Sequence, residues 1–250
     1  IRRPSRSTHL PYTTLFRSGK IFITNVGEAG ILNLTARVIE GDEDKGIGAF
    51  IIETNTPGLI INPEEKKMGW CASDTRQIFF EDMAVPAKNM LGTPGIGFKT
   101  FLKTLTGGRI SIAALSVGTA LGAYERALKY AAERKAFGKV IHKFQAIGNK
   151  LADMATEIEA AKLLTFHAAW MKDQGLDIQK EAAMAKLFAS ETAMRTTTEA
   201  IQIHGGYGYV KEYDVERYFR DAKILEIGEG TSEIQRLIIS KNIVNSVKAM

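Results

Sequence analysis

The chain has 250 residues, 45% hydrophobic and 24% charged, enough to bury a sizeable core in one large or two small domains. Its apolar runs break within a few positions, well short of the roughly 20 residues a membrane-spanning helix requires. One cysteine, Cys71, and four scattered histidines offer neither an internal disulfide nor metal-ligand spacing. The net charge of +5 comes mostly from residues 1–18, which hold Arg2, Arg3, Arg6 and Arg17 and no acid. The nearly neutral remainder does not read as nucleic-acid binding.

From Gly19 to about Leu91, β-prone runs at 21–24, 32–39, 49–53, 59–61 and 77–80 alternate with turn formers. Asn55-Thr56-Pro57-Gly58 reads as a turn, since proline presets φ and glycine supplies a left-handed position. Glu81, Asp82 and the acidic run 40–44 read as solvated loop charges. Pro86 and Gly92-Thr93-Pro94-Gly95 close the region and mark a domain boundary.

Beyond Gly97 the apolar period lengthens to that of a helix. Phe144, Ile147, Leu151, Met154, Ile158 and Ala161 recur at steps of three and four, as do Ala183, Leu187, Ser190, Met194, Thr197 and Ile201. The spacing predicts helices over 97–133, 144–173, 178–203, 213–219 and 231–248. Gly175 separates the second from the third, and Gly205-Gly206-Tyr207-Gly208 stops the third. The expected fold class is α+β: a partial β-barrel or sandwich middle domain over 19–95, then an up-down C-terminal helical bundle over 96–250. Residues 1–18 stand apart as a non-family tail.

Four features could carry chemistry. Gly228-Glu229-Gly230-Thr231-Ser232-Glu233 sets a carboxylate between glycines just before a helix that Thr231 or Ser232 can cap; the plain alternative is a solvated loop glutamate. Gln202-Ile203-His204-Gly205-Gly206 is a helix end where backbone can approach a flat or phosphorylated ligand, or an ordinary glycine stop. Arg134-Lys135-Ala136-Phe137-Gly138, placed at a helix end, suits a diphosphate and a ring, or an exposed last turn. Gly107-Gly108-Arg109 interrupts a helical run with two glycines, a cost of about 2 kcal/mol relative to alanine that points to a packing or ligand reason. His142 and His167 read as surface or interhelical residues and His9 belongs to the tail; His204 alone merits a cofactor reading, through its backbone.

Together, in this order and spacing, these features resemble the acyl-CoA dehydrogenases, closest to the short-chain and bacterial type, over residues 19–248. Further anchors are Phe22-Ile23-Thr24-Asn25, Lys67-Met68-Gly69, Phe80-Glu81-Asp82, Phe144-Gln145, Leu151-Ala152-Asp153-Met154, Glu216-Arg217 and Arg220-Asp221-Ala222. The resemblance implies that Glu229 is the catalytic base and that Gly230 contacts the acyl thioester. It implies that Thr231, Ser232 and Glu233 lie against FAD and that Phe22, Ile23 and Thr24 flank the flavin ring, where the family often has tryptophan in place of Phe22. Arg134, Phe137 and Gln145, joined by Gln202, Ile203, His204, Gly205 and Gly206, correspond to groups holding the FAD diphosphate and adenosine across a subunit interface. Thr106, Gly107, Gly108 and Arg109 correspond to a substrate-binding stretch. One subfamily carries its base on that helix, but residues 105–108 offer no carboxylate, which favours Glu229.

The implied reaction is α,β-dehydrogenation of an acyl-CoA thioester to trans-2-enoyl-CoA, with electrons passed to an electron-transferring flavoprotein by a homotetramer built as a dimer of dimers. The alternatives are an acyl-CoA oxidase-like flavoenzyme and a non-catalytic helical oligomerisation fragment. The expected compartment is a bacterial cytoplasm, with the mitochondrial matrix second; no metal, nucleic acid or membrane span is expected. In the family a helical domain and the opening strands precede Gly19. Residues 1–18 match nothing there and resemble translated adapter or assembly-junction sequence. A transit peptide would precede that helical domain rather than interrupt a sheet. A chain lacking those parts is expected to bind FAD weakly.

Overall fold

Period-two burial organises the first part of the chain in the computed structural model, which describes residues 13–248. Strands β1 (Thr13–Thr24), β2 (Ile31–Glu40), β3 (Glu43–Glu53), β4 (Leu59–Glu64), β5 (Thr75–Pro86) and β6 (Met90–Leu91) form two antiparallel three-stranded sheets, ordered β1-β5-β4 and β2-β3-β6. Among the described residues these sheets do not close into a barrel. They share one core of Phe16, Val26, Leu34, Val38, Phe50, Ile52, Ile78, Phe80, Met83 and Val85, so the sandwich half of the expectation describes the region. Phe16 sits within it, 5% exposed, edge-on to Phe50 at a centroid distance of 5.0 Å and 88°.

That position differs from the expected boundary at residue 18. Residues 1–12 lie outside the described residues, but β1 runs unbroken from Thr13 and pairs with β5 from Thr13↔Pro86 onward. Two bulges keep this pair in phase. Opposite Arg17, β5 inserts Glu81 and Asp82, with Asp82 left-handed at φ 47; opposite Gln77, β1 inserts Ile21 and Phe22, with Phe22 left-handed at φ 60. Each extra residue resets the alternation, which is why Phe80 and Met83 can both face the core. Glu81 and Asp82 are therefore strand residues rather than loop charges, and Asp82 pairs with Arg17 across the bulge. The run 40–44 is likewise a tight hairpin: Glu40 faces Glu43, and Asp44 accepts a hydrogen bond from the Gly46 amide at 2.8 Å. The turn at 55–58 is present, Leu59 N–H donating to the Thr56 carbonyl at 3.1 Å over Gly58 at φ 92.

The second part is helical: α1 (Gly97–Glu133), α2 (Gln145–Asp173), α3 (Gln179–His204), α4 (Val215–Ala222) and α5 (Ser232–Lys248). Small residues make its core. Ala113, Ala120, Ala123, Ala127 and Ala131 of α1, Ala161 and Ala168 of α2, and Ala182, Ala185, Ala189, Ala193 and Ala200 of α3 are all fully buried. Short side chains in register at steps of three, four and seven let helix axes approach closely. Between α1 and α2 the chain makes a hairpin of β7 (Lys135–Ala136) and β8 (Lys139–Val140). Phe137 (φ 51) and Gly138 (φ 81) form its two-residue turn, both left-handed as a tight hairpin of this kind requires. Arg134 to Gly138 is thus not the last turn of a helix.

Two units result. One takes the residues up to Lys67 with Cys71–Lys103; the other takes Met68–Trp70 and the chain from Thr104 on. The division falls inside α1, between Lys103 and Thr104. Met68–Trp70 belongs with the helices through side-chain and backbone bonds: Asp221 accepts from the Trp70 amide at 2.6 Å, and Arg220 donates to the Met68 carbonyl at 3.0 Å.

Candidate functional site

Glu229 stands in the loop that joins a 3-10 turn (Lys223–Glu226) to α5. Its backbone is left-handed, φ 54, followed by Gly230 at φ 91. A non-glycine residue there carries about 1–2 kcal/mol of strain unless its surroundings hold it. Here they do. The Gln235 side-chain amide donates to the carbonyls of Glu229 (3.2 Å) and Gly230 (2.8 Å), and Lys186 Nζ donates to the Gly230 carbonyl at 2.9 Å. Thr231 caps α5, its hydroxyl accepting from the Ile234 amide at 3.4 Å.

The loop lays the exposed Glu229 carboxylate against α1 at Gly108. A Cβ at position 108 would lie 2.9 Å from Oε2, so glycine there makes room for the carboxylate. The next residue, Arg109, is 6% exposed and its Nε has no partner among the described residues; burial lowers its pKa, with the Glu229 charge opposing. Lys186 is fully buried, and burial brings its pKa down to about 8 against the opposing charges of Glu226, Glu229 and Glu233. Ser232 is buried and its hydroxyl has no partner among the described residues, while Glu233 is exposed and its carboxylate is held below its ordinary range by backbone and Thr231 hydrogen bonds. Gly107 faces Lys172, and Thr106 is half-buried on the same turn.

A second constellation surrounds the end of α3. Tyr130, Arg134, Ile141, Ile203, His204, Gly205, Gly206, Tyr207, Val210 and Glu212 line a cleft of about 510 Å³. His204 stacks on Tyr130, centroids 4.2 Å apart, and its Nδ1 bonds the Ala200 carbonyl at 2.8 Å. A carbonyl only accepts, so Nδ1 carries the proton and Nε2 of the neutral ring remains an acceptor. Burial lowers the His204 pKa. The Arg134 guanidinium lies over the Tyr207 ring at 5.4 Å. Gly205 adopts φ 61, ψ −135, and a Cβ on it or on Gly206 would meet only open space.

The structure separates the sequence-expected residues. Gly108, Arg109, Gly230, Thr231, Ser232 and Glu233 gather about Glu229, while Arg134, Ile203, His204, Gly205 and Gly206 share the cleft. Phe22, Ile23 and Thr24 belong to β1 in the other unit, with Phe22 69% exposed at its bulge. Phe137, Gln145 and Gln202 do not line the cleft; Phe137 is 95% exposed and meets Phe144 edge-on. Sequence reasoning missed Lys186 and Gln235, whose side chains hold the loop. The signal for Lys186 was its place in register with Ala182, Ala189 and Ala193, on a stripe otherwise built of buried small residues. Among the described residues no group of His, Cys, Asp or Glu is placed to hold a metal, and no helix is long and apolar enough to cross a membrane.

This fold recurs in solved structures. Butyryl-CoA dehydrogenase from Megasphaera elsdenii superposes with a TM-score of 0.89 at 47% identity, over 93% of this chain and 61% of that one. A chain of the structure reported as the electron transferring flavoprotein of Acidaminococcus fermentans also gives a TM-score of 0.89 at 47% identity, over 92% of this chain and 61% of that one. Among curated proteins, the Bacillus subtilis protein named probable acyl-CoA dehydrogenase YngJ is 55% identical over 90% of this chain and 60% of its own length. The family described as acyl-CoA dehydrogenase, C-terminal domain, matches residues 95–244. The chain belongs to the acyl-CoA dehydrogenase family, and it spans about 60% of the length of the curated relatives it matches.

Proposed function

We propose that this chain carries the base and part of the cofactor site of an FAD-dependent acyl-CoA dehydrogenase, an enzyme that converts an acyl-CoA thioester to trans-2-enoyl-CoA. The observation that carries the reading is the Glu229 carboxylate held on a strained, doubly anchored loop against Gly108, beside Arg109. An α-proton of a thioester is very weakly acidic, so its removal needs a carboxylate at a fixed position and donors for the developing enolate oxygen. Glu229 accepts the α-proton on its carboxylate, the enolate oxygen takes hydrogen bonds from backbone N–H at Glu229, and Gly230 leaves room beside the acyl group. Arg109 contributes fixed positive charge nearby. The flavin, when bound, supplies the acceptor for the β-hydride.

The residues present fit such a cofactor. Arg134 beside an aromatic ring, two glycines opening onto free space and a cleft of about 510 Å³ suit a diphosphate with an attached ring system. The unpartnered Ser232 hydroxyl next to the base suits a polar ligand edge. Arg134, Phe137, Gln145, Gln202, Ile203, His204, Gly205 and Gly206 would hold the diphosphate and adenosine half across a subunit interface. Phe22, Ile23, Thr24, Thr231, Ser232 and Glu233 would contact the flavin half, and Thr106, Gly107, Gly108, Arg109 and Gly230 the substrate. An electron-transferring flavoprotein as electron acceptor, a homotetramer and a cytoplasmic or mitochondrial-matrix location complete the proposal; the likeness to the Acidaminococcus fermentans chain supports the first.

Glu229→Gln in a complete version of the enzyme, loaded with FAD, tests it. The variant should bind flavin normally and fail to bleach it on addition of acyl-CoA; undiminished bleaching would overturn the assignment.

A further inference from the structure

We propose that Lys186 is a positioning residue for Glu229, clamping the Gly230 carbonyl so that the left-handed turn bearing the base cannot relax. The inference rests on the reading of Glu229 as the base. Lys186 lies fully buried on α3 among Ala182, Ala185 and Ala189, where a methionine would pack without the desolvation that burying an ammonium entails. What the ammonium obtains is a 2.9 Å bond to a carbonyl distant in sequence, that of Gly230. The same carbonyl accepts from Gln235 of α5 at 2.8 Å, and that amide also reaches the Glu229 carbonyl at 3.2 Å. Two consecutive left-handed residues are thus fixed by side chains from two helices. Released, Glu229 would relax toward ordinary backbone and swing its carboxylate away from Gly108.

Gln235 alone would supply a neutral donor, whereas the ammonium makes a charge-assisted bond, roughly twice as strong. The charges facing Lys186 are Arg109 of α1, Glu226 of the preceding 3-10 turn, Glu229 itself and Glu233 of α5. The three carboxylates favour the ammonium, while burial and Arg109 oppose it and bring its pKa to about 8. The clamp is therefore charged at neutral pH and loses its charge in mildly basic solution.

Hydrogen exchange read by mass spectrometry on Lys186→Met and on the unaltered chain tests the clamp without requiring turnover. Amides of residues 228–232 should exchange about tenfold faster in K186M while α2 keeps its protection. Equal exchange at 228–232 overturns the proposal, and so does a uniform rise across the helices, which marks a purely structural role. If K186M does not fold, the unaltered chain compared at about pH 7 and about pH 9.5, corrected for intrinsic exchange, takes its place. Selective loosening of 228–232 at the higher pH is then expected, and equal protection overturns the clamp. In the FAD-loaded protein K186M should slow flavin reduction about tenfold with little change in substrate affinity. Undiminished reduction in Glu229→Gln would remove the reading of the base, while the exchange measurement would still decide the clamp.

Discussion

Gly108 of α1 and Glu229 of the loop before α5 are matched in shape: the space a Cβ would take on the first is occupied, at 2.9 Å, by Oε2 of the second. Gly108→Ala should therefore separate stability from activity. The obstructing group is the movable end of a side chain, so the fold can adapt, and alanine adds about 1 kcal/mol of helix propensity. Thermal melting should show a variant at least as stable as the unaltered chain, with turnover of the FAD-loaded protein down about tenfold because the carboxylate is displaced.

Glu229 carries backbone strain at φ 54. Glu229→Asn should relieve part of it, since asparagine tolerates the left-handed region, and raise stability by about 0.5–1 kcal/mol while abolishing proton abstraction. Chemical denaturation of E229N beside E229Q checks this, because E229Q removes the carboxylate charge without relieving the backbone.

Lys186 links stability to pH. Its folded pKa of about 8 lies below the ordinary 10.5, so the penalty for burying the ammonium is complete below about pH 8 and is relieved as pH rises toward 10.5. Relative to K186M, the unaltered chain should gain up to about 3 kcal/mol across that window. Denaturation curves at several pH values would show it, and parallel pH profiles for the two proteins would contradict it.

His204 acts on the other side of neutrality. Burial lowers its pKa from 6.5, so unfolding takes up a proton as pH falls below 6.5 and stability is lost there. His204→Phe keeps a ring against Tyr130 and removes the titration. Its melting temperature should depend less steeply on pH below 6.5 than that of the unaltered chain.

Phe16 tests whether residues 13–18 belong to the folded β unit. At 5% exposure between Phe50 and Phe80, Phe16→Ala should cost about 3–5 kcal/mol, measurable as loss of the unfolding transition of that unit. A variant within about 0.5 kcal/mol of the unaltered chain would show that the segment contributes no core.

Helix placement was legible in the sequence because it is local. The predicted span 97–133 coincides with α1, and 144–173 and 178–203 fall within a residue of α2 and α3, since a 3.6-residue apolar period and glycine stops are properties of neighbouring positions. The strand cores were legible for the same reason, and Glu229 between two glycines was visible as a candidate. The bulges at Glu81-Asp82 and Ile21-Phe22 were not, because they exist only as a mismatch between two paired strands. Nor was the hairpin at Phe137-Gly138, where basic residues resembled the end of α1 until β7 and β8 paired.

Lys186 shows the division most clearly. Read alone, a lysine on a helix belongs in solvent; only the packing of α3 against α1 and α5 buries it and brings it to the Gly230 carbonyl, 44 positions away. Periodicity, turn chemistry and a carboxylate between two glycines were written into the chain. Which carbonyls are held, which cation is desolvated and where the carboxylate comes to rest depend on groups distant in sequence, and tertiary packing alone brings those together.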